Sequence, residues 1–392
     1  MILSEGGRQM KKIIAAAAVA ALLPVHSAFA TVDTAKSACV INGFTGEVVF
    51  EKNADERLPM ASTTKIMTAY IALTTTKLDD VVTISPKAQA TDGTGMYVAA
   101  GEQYYMEDML YGLMLNSGND AVVAIAEHIS GSEEAFADKM NETAWSMGAG
   151  NTMFCNANGL PHSSHYTTAK DLALITKKAM DIPKFREIVS TRSRTVWQVP
   201  RPNADGTAME VPPAPKELYN HNKLLNMYDG AIGVKTGYTD AAGRCLVSAA
   251  QRDGMTFIGV TLNDNDDWNT HMQLLDDAFA SHHPSTLVKA GQVLKEVTLD
   301  GRKYTFSSAQ TVIIPLKDGD KPHVNTVLEL DKDLASEIRK GERVGTVKFS
   351  SRGKTLCEVV LAADSDVSGI GKYRVKNGFY ELWRNIWDFF LI

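Results

Sequence analysis

The sequence is poor in cysteine. Its 392 residues hold four, Cys39, Cys155, Cys245 and Cys357, far apart and without any Cys-x-x-Cys spacing. That argues against a cysteine-bound metal module or a disulfide-dense miniature scaffold. An exported chain would permit pairing, but a chain of this length can be held by its cores, so the four read as buried small hydrophobes. There is no basic excess either: the formal net charge is −6. A nucleic-acid function needs a basic footprint and is disfavoured. His162 and His165 lie near one turn, but no third ligand stands at proper spacing with a helix to hold it. They read as surface or cleft histidines. Internal repeats and low-complexity tracts are missing. The remaining composition is that of a folded protein, and the length exceeds one usual core, so two domains are expected.

What is present begins with an export-signal pattern. Arg8, Lys11 and Lys12 precede the apolar run Ile13–Leu23, and Ala28-Phe29-Ala30 fits the small-x-small cleavage rule. The run is too short to span a bilayer comfortably. Residues 1–30 are therefore expected to be a cleaved signal peptide, with Met10 as an alternative start.

The stretch that organises the chain is Ala61-Ser62-Thr63-Thr64-Lys65-Ile66-Met67, opening an apolar run to Leu73. On a helix, positions i and i+3 share a face with Cβ atoms about 5–6 Å apart. Ser62 and Lys65 can then share a hydrogen bond. A serine hydroxyl is a weak nucleophile until a base takes its proton. Lysine can be that base only with a lowered pKa, through burial or a neighbouring cation. A helix with so few polar positions should be buried, which supplies the first condition.

Two further motifs follow in order. Asn116-Ser117-Gly118-Asn119-Asp120 lies between the apolar run from Met109 to Leu115 and the helix-like run Ala121–Ala126. Gly233-Val234-Lys235-Thr236-Gly237-Tyr238 stands in a strand-like setting. Each is ordinary turn or strand-edge chemistry alone. The ordered trio Ser-x-x-Lys, Ser-x-Asn, Lys-Thr-Gly closely resembles the set found in β-lactamases and penicillin-binding proteins.

Along the chain, 37–41 and 48–50 read as a hairpin around Asn42-Gly43, and 79–104 as a polar excursion with short strands including 81–84. Helices are expected over 133–147, 169–180 and 271–281, and strands over 232–237, 243–249 and 256–262. The proline-rich stretch 200–217 reads as a loop or hairpin excursion, and 281–285 as a linker. Beyond it, 293–299, 311–314, 326–330, 344–349 and 356–361 suggest a small all-β domain. In the last fourteen residues, Glu381, Arg384, Asn385 and Asp388 form one helical stripe, opposed by Phe379, Leu382, Trp383, Ile386 and Phe390. About 21 Å of helix falls short of a roughly 30 Å hydrocarbon core, so this is expected to lie in the membrane plane, or to dock on its own β domain.

On these motifs, with Asn158-Gly159-Leu160, Asn222-Lys223-Leu224-Leu225 and Thr239, the chain resembles the serine-type D-Ala-D-Ala carboxypeptidases, the low-molecular-mass penicillin-binding proteins. The resemblance covers nearly the whole chain and implies an α+β fold. A β-lactamase/transpeptidase-like domain (31–283), an antiparallel sheet flanked by helices, would precede a β-rich domain (290–372) and an anchor helix (376–392). It implies Ser62 as nucleophile, Lys65 as base and Ser117 as proton relay. Asn119 would hold the substrate amide, and Lys235 and Thr236 the terminal carboxylate. Gly237 would let an extended peptide approach, and the backbone N–H groups of Ser62 and Tyr238 would form the oxyanion site. No metal or other cofactor is implied. The implied partners are a peptidoglycan stem peptide ending in D-Ala-D-Ala, β-lactams, and, through the C-terminal helix, the membrane surface, with the exported protein at the outer face of the bacterial cytoplasmic membrane or cell wall. A D,D-endopeptidase of the same fold is the nearest rival. A β-lactamase, for which Glu133 and Glu142 are weak candidate bases, and a silent wall-binding scaffold stand further off.

Overall fold

Asp253-Gly254 shows how local chemistry sets the frame. Both residues have positive φ, +51° and +79°, as a two-residue hairpin turn requires. They join strands Gly243–Arg252 and Met255–Asp264 of the central sheet. The computed structural model describes residues 32–200, 214–299, 302–317, 324–331, 337–351, 354–368 and 380–382. The expected signal peptide lies outside them.

In chain order, β1 (Ala35–Asn42) and β2 (Val48–Lys52) form the first hairpin. A 3-10 turn (Ala61–Thr64) leads into α1 (Lys65–Thr75). β3 (Val81–Thr83), α2 (Pro86–Gln89) and β4 (Gln103–Tyr105) make the expected excursion. Then come α3 (Met106–Leu115), α4 (Asn119–Ser130), α5 (Glu133–Ser146), α6 (Ala169–Met180) and α7 (Pro183–Ser190). The hairpin β5 (Ser193–Val196) and β6 (Lys216–Tyr219), the short α8 (Leu224–Met227), β7 (Ala231–Thr239), β8 (Gly243–Arg252), β9 (Met255–Asp264) and α9 (Asp267–Ala280) complete the first unit. Residues 201–213 of the proline-rich excursion lie outside the described residues.

The central sheet is antiparallel, in the order β2-β1-β9-β8-β7. Side chains alternate along a strand, and here both faces are covered. Cys245, Val247 and Ala249 join the core around α1, while Leu246 and Ala250 join Leu274, Leu275 and Ala278 of α9. α1 is buried nearly all round, from Lys65 to Ala69 and at Ile71 and Ala72. Ser132 and Thr168 cap α5 and α6 by accepting from Ala135 N and Asp171 N, as sequence chemistry leads one to expect. All four cysteines are free, Cys39 and Cys245 buried.

His271 sits under this sheet, wholly buried between Ser248 Oγ (2.6 Å) and Thr261 Oγ1 (3.0 Å). Burial pushes its pKa down to about 3. The unfolded chain takes up this proton near pH 6.5 and the native state refuses it. Stability is then unaffected above pH 6.5 and lost as pH falls toward 3, by up to ~1.4 kcal/mol per pH unit. Thermal melts at pH 7 and pH 5 are expected to show this loss, and His271→Gln to reduce it. An equal slope in the variant would remove His271 as the cause.

Two expectations need correction. The stretch 281–285 is not a linker. His282–Val288 is β10, paired antiparallel with β13 (Val312–Lys317), Pro284 opposite Pro315. A proline is tolerated there because the sheet has only two strands and each has a free edge. β11 (Val293–Leu299), β12 (Arg302–Ser308), β14 (Asn325–Leu330), β16 (Arg343–Ser351) and β17 (Lys354–Ala363) build the β-rich part, with β15 (Glu337–Ile338) pairing β18 (Val367–Ser368). It has its own core, including Phe306, Val347, Phe349 and Leu361. Secondly, Tyr380–Leu382 is not helical. It is a strand, β19, pairing with Thr326–Leu328 on the edge of β14, whose unpaired backbone groups attract an extended segment. The rest of the expected terminal helix lies outside the described residues. No described helix is long and apolar enough to cross a membrane.

Candidate active site

Ser62 lies in the 3-10 turn, not in the α-helix that follows. The turn opens with Ala61 at φ +47°, a left-handed conformation that costs a residue with a side chain. Several contacts hold it there. Thr63 Oγ1 donates to Met60 O (2.6 Å) and Thr64 Oγ1 to Ala61 O (2.8 Å). His165 Nδ1 accepts from Cys155 N (3.0 Å), which leaves Nε2 to donate to Thr64 Oγ1 (2.8 Å). His165 is buried, and burial lowers its pKa to about 4. It is a buried pin behind the turn that also lines the adjoining cleft, and so not a surface histidine, whereas His162 is exposed at the same cleft. A lone histidine in a loop carries no local signal for this role.

Lys65 is wholly buried, and its Nζ reaches three acceptors: Ser62 Oγ (2.8 Å), Asn119 Oδ1 (2.7 Å) and Asn158 O (2.8 Å). Its pKa falls well below the ordinary lysine value. Burial is the largest cause, the charge of Lys235 adds to it, and Asp120 opposes it. A neutral amine keeps two donors and one lone pair, so Lys65 can keep Asn119 and Asn158 and accept the Ser62 proton.

Gly159 brings the Asn158 carbonyl to this place. Its φ is +91°, and a Cβ there would stand 1.9 Å from Ala61 O. Gly237 is placed likewise. A Cβ on it would meet Ser62 N at 3.0 Å and Thr63 N at 3.1 Å. Its missing side chain therefore admits the nucleophile turn itself, where the sequence suggested only room for a substrate.

Ser117 joins α3 to α4, buried, with φ +58°. The loop 92–98 is strapped across this join. Thr94 Oγ1 donates to Ser117 O (2.8 Å), Asn119 N to Thr94 O (2.7 Å), and Asn119 Nδ2 to Asp92 O (2.6 Å). Asp120 accepts from Met96 N (2.8 Å) and Val98 N (3.2 Å). This clamp went unforeseen, although Asp120 is the next residue of the same motif.

β7 ends the sheet, so one of its edges has no strand neighbour among the described residues. Lys235 is buried and donates to Thr236 O (3.0 Å); burial lowers its pKa to about 7. The resemblance implied Lys235 only as a holder of the substrate's terminal carboxylate. Burial weakens its hold on the proton, and an anion in the site would favour its charged form. Among the described residues neither Ser117 nor Thr236 makes a direct hydrogen bond to Ser62 or Lys65. Tyr238 is exposed, its hydroxyl on Asp240 Oδ1 (3.0 Å). Of the two weak candidate bases, Glu142 is exposed on α5, and Glu133 Oε1 lies 3.5 Å from the side-chain Nδ2 of Asn158, whose backbone carbonyl Lys65 uses.

Residues 25–266 match the family model for D-alanyl-D-alanine carboxypeptidase, peptidase family S11. The chain belongs to that family. Residues 283–368 match the C-terminal domain of penicillin-binding protein 5. Among the family's members, the chain is 33% identical to the D-alanyl-D-alanine carboxypeptidase DacF of Bacillus subtilis, over 86% of this chain and 87% of that one. The crystal structure of the D-alanyl-D-alanine carboxypeptidase DacD from Francisella tularensis is similar at TM-score 0.62 and 29% identity, covering 88% of this chain and 96% of that one. The Streptomyces K15 DD-transpeptidase is similar at TM-score 0.58 and 33% identity, covering 64% of this chain and 99% of that one.

Proposed function

We propose that this family member is a serine D-alanyl-D-alanine carboxypeptidase that removes the terminal D-alanine from peptidoglycan stem pentapeptides. The observation that carries the reading is a wholly buried Lys65 with its Nζ 2.8 Å from Ser62 Oγ. Ser62 Oγ attacks the carbonyl of the penultimate D-alanine as its proton passes to Lys65 Nζ. The backbone N–H groups of Ser62 and Tyr238 receive the oxyanion; one such donor is worth about 10²–10³ in rate. The C–N bond then breaks, and Ser117 relays a proton to the departing amine. Water attacks the ester, returns a proton through Lys65 and frees Ser62. Lys235 and Thr236 take the substrate carboxylate, which recharges Lys235. Asn119 Nδ2 bears two hydrogens; Asp92 O takes one and the substrate amide the other. A β-lactam presents a similar amide and carboxylate and would acylate Ser62.

The test combines two readouts. Mass spectrometry after penicillin treatment should find one stable adduct on the peptide bearing Ser62, and a stem pentapeptide should release free D-alanine. An adduct lost within seconds would favour a β-lactamase. A stable adduct with cleavage of cross-linked dimers, and no D-alanine from pentapeptide, would favour the endopeptidase.

The same reading places the protein outside the cytoplasmic membrane, after removal of residues 1–30, with its terminal amphipathic stripe on the membrane surface. Deleting residues 383–392 is expected to abolish sedimentation with phospholipid vesicles; unchanged sedimentation would refute that anchor.

A further inference from the structure

Tyr97 is the most exposed large hydrophobic side chain among the described residues, at 78%. Its backbone is also left-handed, with φ +57°, a conformation that costs a residue bearing a Cβ. Nothing in the mechanism above uses it. We infer that Tyr97, together with Tyr219, is a stacking platform for sugar rings of the glycan strand to which stem peptides are joined, so that the enzyme acts on polymeric peptidoglycan in preference to free peptide. The inference rests on the carboxypeptidase reading for the identity of that polymer.

The ring is held out by its neighbours. Met96 and Val98 are buried, and their N–H groups both donate to the buried Asp120 carboxylate (2.8 and 3.2 Å). A Cβ on Gly112 would stand 2.2 Å from Met96 Sδ, so the Met96 side chain is sunk against α3. Lys216 Nζ donates to Tyr97 O (2.7 Å). With both flanking residues anchored, the Tyr97 side chain is sent outward. It leans on Gly95, where a Cβ would come within 3.4 Å of Tyr97 Cδ1. Among the described residues its hydroxyl has no hydrogen-bond partner. Glycine or asparagine would take this backbone conformation at lower cost. The packing of the chain therefore gives no reason for a tyrosine here, and the use of the ring lies outside the chain.

Place decides what meets it. The same loop is bonded to the catalytic wall, Asp92 O to Asn119 Nδ2 and Thr94 to Ser117 O and Asn119 N. Tyr97 thus stands on a rim continuous with the substrate cleft. Tyr219 shares that rim: its N–H donates to Asn116 Oδ1 (2.9 Å), and its side chain is 62% exposed. It lies three residues along β6 from Lys216, about 10 Å. Two open rings spread along one rim suit a chain of rings better than one compact ligand. A stem peptide in the cleft comes joined to a strand of amino sugars, so that strand is the polymer this rim meets. The C–H faces of its sugars can pack on an aromatic ring, while a tyrosine hydroxyl is left to bond theirs.

Two measurements test this on the full chain. In the first, glycan strands stripped of their peptides by an amidase are coupled to beads. The unaltered protein should be retained, Tyr97→Gly should bind about fivefold more weakly, the worth of one aromatic stacking contact, and Tyr97→Phe should keep most of the binding. Glycine suits φ +57°, so the variant should fold, and its melting temperature checks that; Tyr97→Asn, which also tolerates this conformation, stands in if it does not. In the second, D-alanine release is compared between glycan-linked and free pentapeptide. The ratio of the two kcat/KM values should fall about fivefold in Tyr97→Gly, through KM on the glycan-linked substrate. A purely structural role of the loop would lower both rates alike and leave the ratio unchanged, which overturns the inference. So does failure of the beads to retain the unaltered protein, or equal retention of Tyr97→Gly. Absence of D-alanine release from either pentapeptide overturns the carboxypeptidase reading instead, because retention on peptide-free strands involves no catalysis.

Discussion

Ser62→Ala is expected to leave a folded protein with no penicillin adduct and with D-alanine release lowered by on the order of 10⁶-fold, as when a serine nucleophile is removed from a hydroxyl–base unit. The reason is positional. Ser62 is the hydroxyl hydrogen-bonded to Lys65 Nζ, at 2.8 Å. The neighbouring hydroxyls are spent elsewhere, Thr63 on Met60 O and Thr64 on Ala61 O and His165. No second nucleophile stands ready. The turn is held by those contacts and by Gly237 and Gly159 packed against it, so loss of the Ser62 hydroxyl should not disturb it. Intact-protein mass and D-alanine release check the result. An adduct that persists in Ser62→Ala would move the nucleophile elsewhere.

Lys65→Arg comes next, with an expected loss of about 10³–10⁴ in acylation rate, at the upper end of what a positioned base contributes. A guanidinium stays charged at any working pH and has no lone pair to offer. Lys65→Met, similar in length and apolar, should lose as much activity. It should also lower the melting temperature, because Asn119 Oδ1 and Asn158 O would lose a buried donor, at about 1–3 kcal/mol each. The two losses are not additive with Ser62→Ala, since hydroxyl and amine act as one unit. In the unaltered protein, acylation should fall on acidification as Lys65 takes up a proton and can no longer accept one. Acylation rates with labelled penicillin from pH 5 to 9 test this. A flat acid side, or appreciable activity in Lys65→Arg, would show that another group is the base.

The site was legible where its logic is local. Ser62 and Lys65 are three apart, and the turn and helix between them bring both side chains to one place whatever surrounds them. The strands 243–249 and 256–262 and the helices α5 and α6 are local in the same sense. Features whose partners lie far along the chain were missed. His165 meets Thr64 across 101 positions. The loop 92–98 is clamped by Asp120, more than twenty positions on. The stretch 281–285 read as a linker, until β13 supplied a pairing partner, with Pro315 opposite Pro284. Tyr380–Leu382 carries a helical stripe, but the edge of β14 holds those residues extended.

Which side chains can do the chemistry, and in what order they come, was settled by the sequence alone, because an alcohol, an amine and a second amine carry their reactivity with them. Their protonation was not. An exposed lysine is charged; Lys65 and Lys235 depart from that only because the sheet and helices close over them and remove water, and hydration is a property of the folded whole rather than of any segment.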